Sequence, residues 1–217
     1  MITDQSVKEL HQSRQKMWDA SIANHAQYIN SQTGLFDNKY TEERVCPACA
    51  ADKASFLFNK EGGTHVKCAD CNMVYLNPVF KDEYLEEYYR LNHGVQGEVV
   101  ENDSDFYTGL YSQGLASIEN EIGKGPILDI GCSTGSFLDL ARKRGWETHG
   151  IELNEEEFKF CVKKGHTVYN KLLQDVKFGV KFNAITLWDV FEHLKNGQEY
   201  FEGIKKLLNP GKMYRGL

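Results

Sequence analysis

No stretch of this chain approaches the roughly 18 consecutive apolar residues that a membrane-spanning helix needs. Its opening segment carries Asp4, Lys8, Glu9, Arg14, Lys16 and Asp19 with no apolar core between them, which is not the pattern of a secretory leader. An excess of base is also lacking: 25 Lys and Arg stand against 31 Asp and Glu, a net charge of −6. No broad basic face can then offset phosphate charge, which argues against a nucleic-acid partner. The one dense basic run, Arg142-Lys143-Arg144, closes a predicted helix, where cations suit the negative end of the helix dipole; it reads as a solvated face. There is no internal repeat and no low-complexity tract. These absences leave an ordinary globular chain of 217 residues, 41% hydrophobic and 26% charged, with room for one large domain or two small ones. The expected compartment is the cytoplasm, where thiols stay reduced, so its six cysteines point to metal binding or catalysis before disulfides.

Four of those cysteines form two knuckles. Cys46, Cys49, Cys68 and Cys71 read C-x2-C-x18-C-x2-C, a spacing that lets two tight turns close around one tetrahedral ion. Short strands are expected at 55–58 ("SFLF"), 64–67 ("THVK") and 73–76 ("MVYL"), the first two joined by the hairpin signal "NKEGG". The segment is too short and polar to build a core unaided, so a metal should hold it together. Four thiolates leave no open coordination position, which makes the ion structural, and zinc is favoured over iron.

Residues 1–40 read as a helical arm with Gly34 as its stop, 41–78 as the zinc-ribbon-like module, and 79–123 as a bridging helical region. Within the bridge, "FKDEYLEEYYRL" sets Tyr84, Tyr88 and Tyr89 at helical spacing. From residue 124 to 217 the texture becomes alternating strands and helices. "PILDIG", "THGIEL", "HTVY" and "FNAITLWDV" are strands; "SFLDLARKRG", "NEEEFKFCVKKG" and "GQEYFEGIKKLLNPG" are helices closed by glycine. Such alternation implies α/β architecture with a Rossmann-like, doubly wound parallel sheet.

The stretch "LDIGCSTG" puts Asp129 at a strand end, Gly131 at the turn and Gly135 where a helix begins. A dinucleotide loop would need glycine at 131, 133 and 136, yet Ser133 and Ser136 occupy two of those positions. Glu152 ends the next strand, where an acid accepts hydrogen bonds from ribose hydroxyls. A nucleoside ligand without a pyrophosphate satisfies all of these features.

Asp129-Ile-Gly-Cys-Ser-Thr-Gly135, Glu152 and "LWDVFEHL" (187–194) together resemble the class I S-adenosylmethionine-dependent methyltransferases. With the upstream knuckles, "MVYLNP" and "EYLEEYY", the chain is similar to a bacterial subgroup carrying an N-terminal zinc-ribbon-like segment, some of whose members methylate sugars and other small molecules. The resemblance implies S-adenosyl-L-methionine as cofactor, a structural zinc ion and a small-molecule acceptor. It implies that Asp129, Gly131, Cys132 and Gly135 surround the methionine moiety, that Glu152 with Leu153 holds the ribose, and that Trp188 and Asp189 line the methyl-transfer side. The adenine contact expected in the family has no acid to fill it before Asp175; Asn170 and the backbone near Leu172 are the alternatives. His193 is the candidate general base for an acceptor that must lose a proton. Cys132 has no base partner in the sequence and Cys161 reads as core.

The family's sheet has seven strands, the fifth following an "NPGG"-like turn. Here "LLNPGKMYRGL" closes the chain, so strands five to seven are expected to be missing and strand four to be a bare edge open to self-association. Two other readings compete with a small-molecule methyltransferase: an rRNA methyltransferase with a zinc clip, and a non-enzymatic zinc-binding interaction module. The clip itself reads as a lid or acceptor-side module.

Overall fold

The structure is a computed structural model in which residues 15–85, 104–195 and 197–216 are described. The chain divides into two compact units, one built on residues 13–96 and the other on residues 97–194 with 199–217.

The first unit opens with α1 (Gln15–His25), which passes into a single 3-10 turn at Ala26–Tyr28. The helix therefore ends at His25 rather than at Gly34. Gly34, at φ +70°, instead closes the turn between bridged Ile29 and Phe36. Tyr28 is buried under Tyr40 and Phe80, with ring centroids 5.2 Å away in both cases. The short strands β1 (Thr41–Glu42) and β5 (Val79–Phe80) pair antiparallel beside this aromatic group. Between them, β2 (Ala54–Lys60), β3 (Gly63–Cys68) and β4 (Val74–Leu76) form an antiparallel sheet in the order β2-β3-β4. These are the three strands expected from the sequence. Glu61 and Gly62, both at positive φ (+53° and +85°), make the β2–β3 turn. The apolar core of this sheet is small: Cys46, Val66, Cys68 and Tyr75. Every residue of β2 is exposed, Phe56 at 65%.

The second unit starts with α2 (Ser104–Glu121), inside the region read as a bridge. Tyr88 and Tyr89 lie outside the described residues. The alternating elements follow: β6 (Pro126–Ile130), α3 (Ser136–Lys143), β7 (Glu147–Ile151), α4 (Glu155–Lys163), β8 (Thr167–Tyr169), β9 (Phe182–Leu187), α5 (Gly197–Leu207) and β10 (Leu208–Gly216). The sheet is all parallel, in the order β10-β9-β6-β7-β8. Because side chains alternate across a strand, the apolar run of β6 feeds both faces. Ile127 joins Leu115, Ile118, Phe137 and Leu138 on one side, while Leu128 and Ile130 join Phe182, Ile185 and Ile204 on the other. Each fully buried Leu, Ile or Phe contributes about 1.5–3 kcal/mol relative to exposure, so these two clusters dominate the unit's stability.

Local chemistry sets the ends of the helices. The Asn154 side chain accepts from the Glu156 and Glu157 backbone N–H groups at 2.9 and 3.1 Å and so caps the start of α4. Gly145 and Gly165, at φ +90° and +76°, end α3 and α4. In the basic run Arg142 and Lys143 are exposed, as a solvated face requires, while Arg144 is half-buried. Arg144 donates to Glu119 on α2, which also accepts from Trp146 Nε1 at 3.0 Å, and this lowers the Glu119 carboxyl below its ordinary range. Arg142 donates to Asp139 and to the Lys164 carbonyl.

The C-terminal end corrects one expectation. Strand five is not missing at its start, and strand four is not the edge. Met213, Tyr214, Arg215 and Gly216 pair in parallel with Ala184, Ile185, Thr186 and Leu187. A left-handed Gly211 at φ +74° and a register shift between Leu208 and Met213 redirect the chain out of α5 and along β9. The free edges of the described sheet are β10 and β8.

Candidate functional site

The order β10-β9-β6-β7-β8 means that the sheet grows outward from β6 in two directions. At such a switch point the connections leave for opposite sides, and a crevice opens beyond the carboxyl ends of the central strands. The sequence candidates of this unit gather there. Asp129 and the turn after it end β6, Glu152 and Leu153 follow β7, and Trp188 and Asp189 follow β9.

The turn is held from its own backbone. Gly131 and Cys132 both donate their N–H to the Ile151 carbonyl, at 2.8 and 3.0 Å, so the loop hangs from β7. Gly131 sits at φ +74°, and a Cβ there would lie 2.5 Å from Val190 Cγ2. Gly135 sits at φ +80° at the N-cap of α3, its Cβ position 3.0 Å from Cys161 Sγ. Both glycines are therefore required by backbone conformation and by packing within the protein itself. Ser133 adopts φ +46° without being glycine, at a cost of about 1–2 kcal/mol that its neighbours must offset.

Glu152 supplies one such anchor. It is 7% exposed, and its two oxygens accept the Ser133 and Asn154 backbone N–H groups, both at 2.8 Å. One carboxylate thus ties the glycine loop to the start of α4. Asn170, after β8, donates to the Glu152 and Leu153 carbonyls at 2.8 and 2.9 Å and fixes that strand end from behind. Leu153 itself is 53% exposed.

Asp129 is 2% exposed and accepts from Thr186 Oγ1 at 2.6 Å. Burial pushes its carboxyl up to about 8; Thr186 works against that rise and the Glu152 charge adds to it. Glu157 lies in the first turn of α4. It is raised to about 7 by burial and then by Glu152, against a hydrogen bond from Ser133. The signal available was the run "NEEE" following the strand-end acid. Three carboxyl groups therefore share one strand-end region, and burial with the Glu152 charge raises two of them.

Trp188 turns its ring back into the protein. It lies 4.9 Å from Tyr111 and 5.4 Å from Phe137, fitting over Gly114, where a Cβ would fall 2.5 Å from the indole. Its buried Nε1 makes no hydrogen bond among the described residues. Asp189 is exposed and holds φ +52°; His193 is exposed on the 3-10 turn Phe191–His193. The structure thus brings buried Asp129, Cys132, Gly135 and Glu152 together with half-buried Gly131 and leaves Leu153, Asp189 and His193 at the surface. Cys132 is 4% exposed. Its hydrogen bond with Cys161, its burial and Asp129 all raise its thiol pKa, which removes it as a nucleophile.

The four knuckle cysteines form the second candidate site, within the first unit. Their Sγ atoms all lie within 4.8 Å of one another, with Cys46–Cys71 and Cys49–Cys68 each at 3.6 Å. A tetrahedral ion with bonds of about 2.3 Å to sulfur requires S···S separations near 3.8 Å, so the group fits one ion and no disulfide. Cys46 and Cys68 are 1% exposed, and the backbone N–H of Cys71, aided by that of Asp70, lowers the Cys68 thiol to about 7. Tyr84, a candidate cover for a cofactor, packs edge-on against Tyr40 at 5.0 Å in this same unit.

Comparison with known proteins bears on the second unit. Residues 106–213 match the family described as Methyltransferase domain. No curated protein sequence matches the chain. Among solved structures, the plantazolicin methyltransferase BpumL in complex with SAH is 18% identical, with 62% of this chain and 51% of that one covered and a TM-score of 0.49. DesVI of Streptomyces venezuelae is 18% identical over 64% and 57% of the two chains, with a TM-score of 0.43. The glycopeptide N-methyltransferase MtfA is 14% identical over 49% and 51%, again with a TM-score of 0.43. The chain thus spans about half the length of the structures it matches. From Phe106 to Met213 the chain belongs to the methyltransferase domain family.

Proposed function

We propose that the protein binds S-adenosyl-L-methionine at the carboxyl ends of β6 and β7 and directs its methyl group to a small-molecule acceptor, a sugar-like one among the candidates. The observation that carries this reading is the acidic group at the switch point. Burial first, and the Glu152 charge after it, raise the Asp129 carboxyl to about 8 and the Glu157 carboxyl to about 7, so negative charge there lacks full compensation. A ligand bearing an ammonium and a sulfonium charge supplies the missing compensation, and a neutral or anionic nucleotide does not.

Bound there, the cofactor supplies an electrophilic methyl group on a positively charged sulfur. Asp129, fully buried and steadied by Thr186, would accept the ligand's amino group, losing its proton as the ammonium arrives. The Glu152 oxygens, already fixed by two backbone N–H groups, would accept the ribose hydroxyls with their remaining lone pairs. Gly131 and Gly135 keep side chains out of the turn. Methyl transfer is an in-line displacement, so positioning and exclusion of water supply most of what the protein must do. His193, exposed beyond β9, would take the acceptor's proton where one must leave.

The four thiolates would hold one zinc ion as a structural clip. The spacing of their sulfurs supports this, and a closed set of four leaves no position for chemistry. The test is transfer of labelled methyl groups from S-adenosyl-L-methionine to a panel of small-molecule acceptors, sugars included. Transfer is expected, with Glu152→Ala raising the KM for the cofactor at least tenfold. An unchanged KM in that variant would remove Glu152 from the ribose site.

A further inference from the structure

The glycine loop is gripped on its far side by residues that no motif contains. Lys164 follows the last turn of α4, and its Nζ lies 2.9 Å from the Thr134 carbonyl and 2.8 Å from Asp139 Oδ2. Asp139 sits on α3 just past the loop, where its backbone N–H donates to the Gly135 carbonyl at 2.8 Å. His166, its side chain fully buried, presents Nε2 2.9 Å from Asp139 Oδ1, and its Nδ1 faces Thr148 Oγ1 at 3.4 Å. That arrangement suits the neutral imidazole, with the proton on Nε2 and Thr148 donating to Nδ1. Burial lowers the His166 pKa, and Asp139 only partly opposes it. One residue back on the loop, Cys161 Sγ donates to the Ser133 carbonyl at 3.0 Å. Successive loop carbonyls are therefore both held by side chains from the end of α4, while Glu152 holds the Ser133 N–H from the other side.

We infer that Lys164, aimed by Asp139 and His166, is a positioning residue. It fixes the Thr134 carbonyl and so keeps the turn at Ser133–Gly135 in the conformation that receives the cofactor. This rests on the reading that the loop binds S-adenosyl-L-methionine. The physical need for it is specific. Ser133 lies in the left-handed region at φ +46°, which a side chain disfavours, so the turn relaxes unless its polar groups are anchored. A misplacement of about 1 Å in a binding loop costs on the order of 10²-fold in function. Lys164 is 28% exposed on its side chain, as is Asp139, so the anchor sits at the rim and not in the core. Its removal should therefore loosen the loop without unfolding the unit.

Two measurements test this. The first is amide hydrogen exchange of residues 131–135 in the ligand-free protein. Lys164→Met should speed exchange there about tenfold while β6 and β9 stay protected. The second is calorimetric titration with S-adenosyl-L-methionine: Lys164→Met should weaken binding about tenfold, Lys164→Arg should restore it to within threefold, and Lys163→Met, removing an exposed neighbouring charge, should change nothing. Lys164→Gln, which keeps one donor, should fall between and serves if the Met variant does not fold. Unchanged loop exchange together with wild-type affinity in Lys164→Met or Lys164→Gln would overturn the inference. Wild-type protein that binds no cofactor would instead overturn the reading it rests on, and the exchange result would still decide whether Lys164 anchors the loop.

Discussion

The two units of this chain reach stability by different means. The β2–β4 sheet buries a core of only Cys46, Val66, Cys68 and Tyr75, and one of its three strands is exposed throughout. The unit around β6 buries two clusters on opposite faces of a five-stranded sheet. Area removed from water suffices for the second; in the β2–β4 sheet it is small, and the proposed metal clip would supplement it. The difference also divides the candidates: Asp129, Gly131, Cys132, Gly135, Glu152, Leu153, Trp188 and Asp189 lie in the unit that folds by burial, and the four-cysteine cluster lies in the other.

The largest effect that would break this comparison is metal removal. Chelation, or Cys68→Ser, should abolish amide protection across residues 54–76, since metal binding contributes on the order of 10 kcal/mol to folding in such clips. Protection at β6 and β9 should persist, and full retention of order in 54–76 would contradict a metal-held sheet. Next in size is Phe137→Ala, in the heart of the α2–α3 face. Hydrogen exchange or denaturant unfolding should report a loss of about 3–5 kcal/mol in the second unit. A loss below about 1 kcal/mol would mean that burial is not what holds it.

Smaller effects sharpen the picture at the site. Asp129 has a folded-state pKa near 8, above its unfolded value, so the native state binds the extra proton between those limits. Stability of the ligand-free protein is then fully present below the unfolded pKa and declines as pH rises through 8. Asp129→Asn should flatten that decline, read from melting temperatures between pH 5 and 9; an unchanged slope would mean Asp129 ionises freely. Last, Ser133→Gly relieves a side chain at positive φ and should alter stability by no more than about 1 kcal/mol, toward a gain.

How much of this was legible beforehand follows from the same division. The knuckles declare themselves by spacing alone, and β6, β7 and β9 by apolar runs between glycines. Glu152 is visible because strand period and strand end fix its place. The hydrogen bond from Ser133 N–H to Glu152 is not, because it joins residues 19 apart through loop geometry. For the same reason the sequence did not show the Lys164–Asp139–His166 anchor, whose members sit on two helices and a strand entry. Trp188 is expected on the methyl-transfer side after β9; the space over Gly114 that admits its ring is a tertiary fact with no local signature. β10 is only hinted at in the sequence, since "KMY" can begin a strand but carries too few apolar residues to extend it, and its pairing comes from β9. The helix boundary at His25 was misjudged because Gly34 serves a turn, a use that composition does not distinguish from a helix stop.

The most direct test of the central claim is a calorimetric titration of the zinc-loaded protein with S-adenosyl-L-methionine, with Glu152→Ala alongside. The account predicts saturable binding at one site in the wild type and its loss in the variant. A folded protein that shows no saturable binding, or a variant that binds as tightly as the wild type, would contradict it.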